Sequence, residues 1–186
     1  MSKKINIPNL LSILRISMIP ALVLLIIYSS AGNYPLLICL FLISILLDFF
    51  DGYLARKLSQ ETELGKILDP LADKLLIFFT IAALLIKTDF PLWLALIVVS
   101  RDLIILLASL SMLKKIKSVT PSILVGKFTF GILGALISIY IIDLYESLNL
   151  EILKKFLIIL SLVFVMWSWV EYYNVFRTFK RGEHAK

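Results

Sequence analysis

Four aspartates carry the strongest chemical signal in the sequence. Asp48 and Asp51 close one long apolar run, and Asp69 and Asp73 open the next. An unpaired acid at the centre of a bilayer costs roughly 2.5–3.5 kcal/mol on insertion scales. Four of them therefore call for shallow placement and shared cations. Asp48 and Asp51 are three residues apart and Asp69 and Asp73 four apart, so on helices each pair shares one face. The eight-residue connector from Lys57 to Leu64 predicts adjacent, antiparallel helices with converging acidic faces. Carboxylates without histidine or thiolate make a hard oxygen site suited to Mg²⁺, Mn²⁺ or Ca²⁺, and this much negative charge suits two ions better than one.

The neighbouring residues fit phosphate chemistry. Gly52, Ala55 and Gly65 remove bulk where a ligand or another helix must approach the backbone. Arg56 can reach a phosphate bidentately, or simply anchor the helix at the membrane surface. Pro70 suits the first turn of a helix or kinks one, and the sequence leaves both open. Metal ions, a basic residue and a glycine-opened groove suggest phosphoryl or phosphodiester transfer. A carboxylate free of metal would take the proton of an attacking hydroxyl.

These residues need a scaffold, and the scaffold reads as lipid-embedded helix. Of 186 residues, 60% are hydrophobic and 17% charged, with a mean hydropathy of +0.97. Soluble domains carry roughly 25% charge. Six apolar segments near the ~20 residues a bilayer requires lie at about 9–29, 34–56, 65–87, 90–113, 122–144 and 150–176. Short connectors join them and no internal repeat is evident, so the expected fold is one all-α bundle of six transmembrane helices, a single domain over 1–186. With the N-terminus in the cytoplasm, only Lys87, Lys154 and Lys155 among the connector and end cations fall outside. Lys3, Lys4, Arg56, Lys57, Lys66, the Lys114–Lys117 cluster and the basic C-terminal end fall inside. Both termini and the four acids then face the cytoplasm, and Trp167, Trp169, Tyr172 and Tyr173 fit an interfacial aromatic belt. The segment from Met1 to Asn6 is too short and polar for a signal peptide.

The same composition excludes other chemistries. The lone Cys39 permits no internal disulfide and reads as a packing residue. The one histidine, His184, lies in the charged tail, so histidine triads and His-rich metal sites are excluded. The net charge of +6 reflects cytoplasmic basic residues and attraction to anionic headgroups rather than nucleic-acid binding. A metal-ion or proton-coupled transporter would spread its acids through several spans to the midplane, whereas here they crowd at one face.

The stretch Asp48-Phe-Phe-Asp51-Gly52-Tyr-Leu-Ala55-Arg56, then Gly65, Asp69 and Asp73, resembles the signature D-x2-D-G-x2-A-R-x8-G-x3-D-x3-D of the CDP-alcohol phosphotransferases at every specified position. The six-span architecture is similar along nearly the whole chain. The resemblance implies transfer of a phosphatidyl group from a CDP-linked lipid such as CDP-diacylglycerol to an alcohol, with release of CMP. It implies that Asp48, Asp51 and Asp69 are metal ligands for Mg²⁺ or Mn²⁺, with Asp73 as the base, alone or also as a ligand. Gly52, Arg56 and Gly65 would contact the cytidine diphosphate part, and the protein would be a homodimer in the cell membrane.

Other stretches resemble particular branches. Asn6-Ile-Pro8-Asn9-Leu-Leu-Ser12-Ile-Leu-Arg15 is similar to the opening of bacterial phosphatidylglycerophosphate synthases and of the cardiolipin synthases of this fold. Its polar residues also suit an ordinary interfacial helix start. Pro121-Ser122 with Gly126-Lys127 resembles the P-S-x2-G-K element of the glycerol-phosphate enzymes, with one extra residue between Ser122 and Gly126. Lys127 would bind an anionic acceptor. Ser100-Arg101-Asp102 stands where those enzymes show Ser-Arg-Glu, and Ser109 stands where they carry a second arginine. That departure is closer to the cardiolipin synthases. Glycerol-3-phosphate brings a dianion that needs local cations, whereas phosphatidylglycerol brings a monoanionic diester. Arg101 would bind the acceptor, or else partner an acid within the bundle. The acceptor expectation is glycerol-3-phosphate, with phosphatidylglycerol as the alternative. Glu171 reads as an interfacial acid without a role.

Overall fold

A computed structural model of the chain describes residues 7–28, 30, 33–57, 65–116, 124–144 and 150–180. Side-chain surroundings are described for these except 7–8, 48–57, 66–67, 69–70, 109–116, 124, 175–176 and 178–180. The described residues form six helices and no strand: α1 (Ile7–Ile27), α2 (Tyr34–Lys57), α3 (Gly65–Lys87), α4 (Leu92–Ile116), α5 (Leu124–Asp143) and α6 (Glu151–Lys180). Each falls on one of the six expected segments.

Three are long and apolar enough to cross a membrane: Asn9–Ile27, Val125–Asp143 and Glu151–Asn174. Protein covers only 28%, 33% and 28% of their apolar windows. The remaining surface, including Leu10, Phe128, Ile152 and Ile159, is exposed apolar side chain that lipid rather than water must solvate. The apolar stretch of α2 is shorter, Tyr34–Leu47. It ends where Asp48 begins, so the residues proposed to do chemistry are the ones that interrupt its hydrophobicity.

The helices fall into two compact units, α1–α3 and α4–α6. In the first, α1 packs extensively against both α3 and α2. Its buried face runs Asn9, Ser12, Arg15, Ile19, Leu22, Ile26, at steps of three and four, polar at the N-terminal end and apolar beyond. The α2 face is Leu37, Phe41 and Ser44, and α3 contributes Ala72, Leu76, Ile77, Thr80, Ile81 and Leu84. Among the described residues, the extensive packing partner of both acid-bearing helices is α1. The N-terminal helix can take that position because its face is polar beside Asp73 and apolar beyond.

In the second unit α6 packs against α5 and α4. Thr129 on α5 donates to the carbonyls of Val125 at 2.7 Å and Phe164 at 3.2 Å, the latter on α6. Hydroxyls elsewhere return to their own helices, as with Ser44 to Leu40 O and Ser138 to Gly134 O, both 2.8 Å. A hydroxyl in an apolar setting has few other acceptors. Lys154, counted in the sequence among the few cations on the outer side, is 5% exposed. Its Nζ lies 2.6 Å from Asp143 Oδ2 and 4.8 Å from the centre of the Tyr140 ring, clasping the α5–α6 turn.

Candidate active site

Helical structure is continuous from Tyr34 through Lys57 and from Gly65 through Lys87. The register assumed for the acids therefore holds. Asp48 and Asp51 share one face of α2 within a single turn, and Asp69 and Asp73 share one face in the first turns of α3. Pro70 is the sixth residue of α3, so the preceding connector ends before Asp69. Its ring nitrogen cannot donate to the Lys66 carbonyl, which frees that acceptor. Gly65 is the buried first residue of α3. The side chains of Asp48, Asp51, Arg56 and Asp69, and the surroundings of Gly52, lie outside the described part, as do Pro121, Ser122 and His184.

Asp73 is described, and its side chain is 27% exposed. Its Oδ1 accepts from Nη1 of Arg15, across 58 residues of sequence. Arg15 is fully buried, which replaces the expectation of an interfacial cation at the start of the chain. Lipid headgroups would leave that guanidinium wet; here it is enclosed between helices and matched to a carboxylate. The sequence signal was present in the three-residue spacing of Asn9, Ser12 and Arg15 inside an apolar helix. All three are buried and on one face.

No group of three His, Cys, Asp or Glu side chains assembles among the described residues. The acids themselves fit the proposed metal. They supply only oxygen, and they occur as two same-face pairs at the ends of α2 and α3, which suits a hard divalent ion.

The second unit holds another buried arginine. Arg101, 4% exposed, donates from Nε to Ser168 Oγ at 2.9 Å and from Nη1 to Asp102 Oδ1 at 2.5 Å. Its guanidinium carbon lies 5.6 Å from the centre of the Tyr172 ring, within cation–π range. Nη2 is buried and has no hydrogen-bond partner among the described residues. Arg101 thus has the intramolecular acid partner that was one of its two expected roles, yet one guanidinium nitrogen remains uncommitted. Ser168 and Tyr172 were not foreseen as parts of this cluster. They lie one turn apart on α6, and such spacing in an aromatic-rich stretch resembles an interfacial belt.

Gly126 has a packing reason. A Cβ built there would stand 3.1 Å from the Tyr172 hydroxyl oxygen, so glycine lets α6 bring that phenol onto α5. Lys127 next to it is exposed. Arg101 from α4, Gly126 from α5, and Ser168 and Tyr172 from α6 therefore meet within one unit. A buried cation with a free donor can take an anionic oxygen.

Comparison with known proteins identifies the family. The family model for CDP-alcohol phosphatidyltransferase matches residues 5–167. A CDP-diacylglycerol–glycerol-3-phosphate 3-phosphatidyltransferase of Aquifex aeolicus is 36% identical over 170 residues, covering 90% of this chain and 93% of that protein. Enzymes of the same name from Rickettsia bellii and Pseudomonas fluorescens are 41% and 37% identical. Those matches cover 54% of this chain in each case, and 55% and 52% of the relatives. The transporter alternative falls away, and the chain belongs to the CDP-alcohol phosphatidyltransferase family, as a membrane transferase of phospholipid biosynthesis.

Proposed function

We propose that the protein transfers the phosphatidyl group of CDP-diacylglycerol to glycerol-3-phosphate, releasing CMP and forming phosphatidylglycerophosphate. The observation that carries this reading is the 36% identity to the Aquifex aeolicus glycerol-3-phosphate enzyme over nine-tenths of the chain. It is joined by the family signature, complete from Asp48 to Asp73. The acceptor hydroxyl forms a bond to the lipid-side phosphorus, the phosphorus–oxygen bond to CMP breaks, and Asp73 takes the hydroxyl proton. Asp48, Asp51, Asp69 and Asp73 would hold two Mg²⁺ or Mn²⁺ ions, whose charge neutralises the diphosphate when bound. Gly52, Arg56 and Gly65 bind the cytidine diphosphate part, and Arg101 and Lys127 bind the acceptor. The enzyme is a homodimer of six-span chains in the cell membrane, each a single domain with both termini and the acids on the cytoplasmic side. The charge distribution supports that orientation.

Phosphatidylglycerol is the second reading, because Arg101 is already charge-balanced by Asp102 and Ser109 stands where a second arginine would help bind a dianion. The test is CMP release by purified protein given CDP-diacylglycerol and Mg²⁺ or Mn²⁺. Glycerol-3-phosphate, phosphatidylglycerol, inositol phosphate and serine are offered separately. Release with glycerol-3-phosphate alone, abolished by chelator, is expected. Release with phosphatidylglycerol alone assigns the second reading, and metal-driven ion flux in proteoliposomes without CMP overturns both.

A further inference from the structure

We propose that Tyr172 binds the acceptor beside Arg101: its phenol hydroxyl donates to the same phosphate group that Arg101 engages through Nη2. This rests on the reading of Arg101 as a residue of the acceptor site and of glycerol-3-phosphate as the acceptor.

The second unit contains a donor that the protein itself does not use. Arg101 on α4 is 4% exposed, with Nε spent on Ser168 and Nη1 on Asp102. Nη2 is equally enclosed and has no hydrogen-bond partner among the described residues. A guanidinium cannot escape that loss by giving up its proton, so the orphaned N–H calls for a ligand oxygen. Asp102 already balances the charge of Arg101. What the cluster offers an anion is therefore directed donors more than net charge.

Tyr172 is the neighbour able to supply another donor. The Arg101 guanidinium carbon lies over its ring, 5.6 Å from the centre. A Cβ at Gly126 would stand 3.1 Å from its hydroxyl oxygen, so the residue that this oxygen faces has no side chain to take the phenolic proton. Ser168 cannot play the same part. Its hydroxyl donates to Val165 O at 2.9 Å and accepts from Arg101 Nε. Tyr172 is half-buried where Arg101 is enclosed, which makes the phenol the more accessible edge of the pair. Two hydrogen bonds of about 2.8 Å, meeting on one phosphate, span the gap between guanidinium and ring. A phosphate monoester presents three terminal oxygens to such donors and a phosphodiester only two, so the arrangement favours glycerol-3-phosphate over phosphatidylglycerol.

The test is Tyr172→Phe, which keeps the ring and its contact with Arg101 and removes only the hydroxyl. In the full-length protein we expect its KM for glycerol-3-phosphate to rise about tenfold, the scale of one hydrogen bond to a charged group, with kcat and the donor KM within about twofold. Arg101→Ala should raise the same KM. The double variant Arg101→Ala/Tyr172→Phe should raise it by less than the product of the two single effects, because both groups serve one phosphate. An unchanged acceptor KM in Tyr172→Phe, beside a raised one in Arg101→Ala, overturns this proposal and leaves Arg101 in the acceptor site. So does a strictly multiplicative double variant, which would mean that the two groups share no ligand. An unchanged acceptor KM in Arg101→Ala removes Arg101 from the site and takes the proposal with it, as does wild-type CMP release with phosphatidylglycerol alone. Thermal unfolding separates binding from packing. Tyr172→Phe should unfold within about 2 °C of the wild type, and a larger drop with both KM values raised would make the hydroxyl a structural group and overturn its role.

Discussion

The two compact units each bury one arginine against one aspartate, and they do so in opposite ways. In α1–α3, Arg15 reaches across to another helix and engages the last acid of the family signature. In α4–α6, Arg101 is neutralised by its own sequence neighbour, Asp102, and steadied by Ser168 and the Tyr172 ring. The first pair links two helices, and its acid closes the family signature. The second is self-contained and keeps Nη2 uncommitted. The first unit carries the acids proposed here to hold divalent metal. The other holds a donor in reserve, as suits an anionic acceptor. Buried charge in a membrane helix is functional by default, but its partner decides which function it serves.

Substitutions in the two units should separate these roles. The largest effect is expected in the acid-rich unit. Asp73→Asn should lower kcat about 1000-fold, within the span usual for a lost general base, while CDP-diacylglycerol still binds. Turnover and equilibrium binding of the donor lipid check both halves of that statement, and retained turnover would remove Asp73 from its role.

In the other unit, Arg101→Ala should act on the acceptor rather than on turnover. Its acceptor KM should rise about 10- to 100-fold, since a hydrogen bond to a charged group is worth about 1.5–3 kcal/mol. The donor KM should change less. Measuring the double variant Arg101→Ala/Asp102→Asn alongside avoids leaving Asp102 buried and unmatched. A larger rise in donor KM would move Arg101 to the nucleotide lipid and erase the contrast between the units.

A smaller effect is expected away from either site. Asp143→Asn weakens the partner of buried Lys154, and the carboxylate side chain is 27% exposed. The loss should be about 1–2 kcal/mol, below that of a fully buried pair. Thermal unfolding in detergent should show it, with unchanged kcat; reduced kcat would mean that this clasp serves the reaction as well as the fold.

The smallest effect is expected at Gly126. An added Cβ would meet only the far end of Tyr172. Gly126→Ala should therefore raise the acceptor KM about two- to threefold, less than the about 1–3 kcal/mol of ordinary overpacking. Gly131→Ala, with nothing within 4 Å, is the matched control and should change nothing. Equal effects at both glycines would dissociate Tyr172 from the acceptor cluster.

The helices and the acids were legible in the sequence because both signals are local. Apolar runs bounded by charge gave six segments that match α1–α6 to within a few residues, and the signature specifies eight residues over 26 positions. What the sequence concealed depends on contacts between distant residues. Arg15 looked like an interfacial cation because the α1 sequence contains no acid to balance it. Lys154 registered only as a cation on the outer side because its partner Asp143 belongs to the preceding helix. The Tyr172 hydroxyl over Gly126 could not be read from a stretch whose aromatics also suit a membrane interface. In each case hydropathy registered the charge or the ring correctly and was blind to its partner.

Phosphatidyl transfer to glycerol-3-phosphate is the reaction proposed for the acid-rich unit. It is tested most directly by offering the purified protein CDP-diacylglycerol together with equal concentrations of glycerol-3-phosphate and phosphatidylglycerol, and identifying the lipid product by mass spectrometry. The account predicts phosphatidylglycerophosphate, formed only with divalent metal and lost in Asp73→Asn. Cardiolipin as the main product, or phosphatidylglycerophosphate formed equally well by Asp73→Asn, would contradict it.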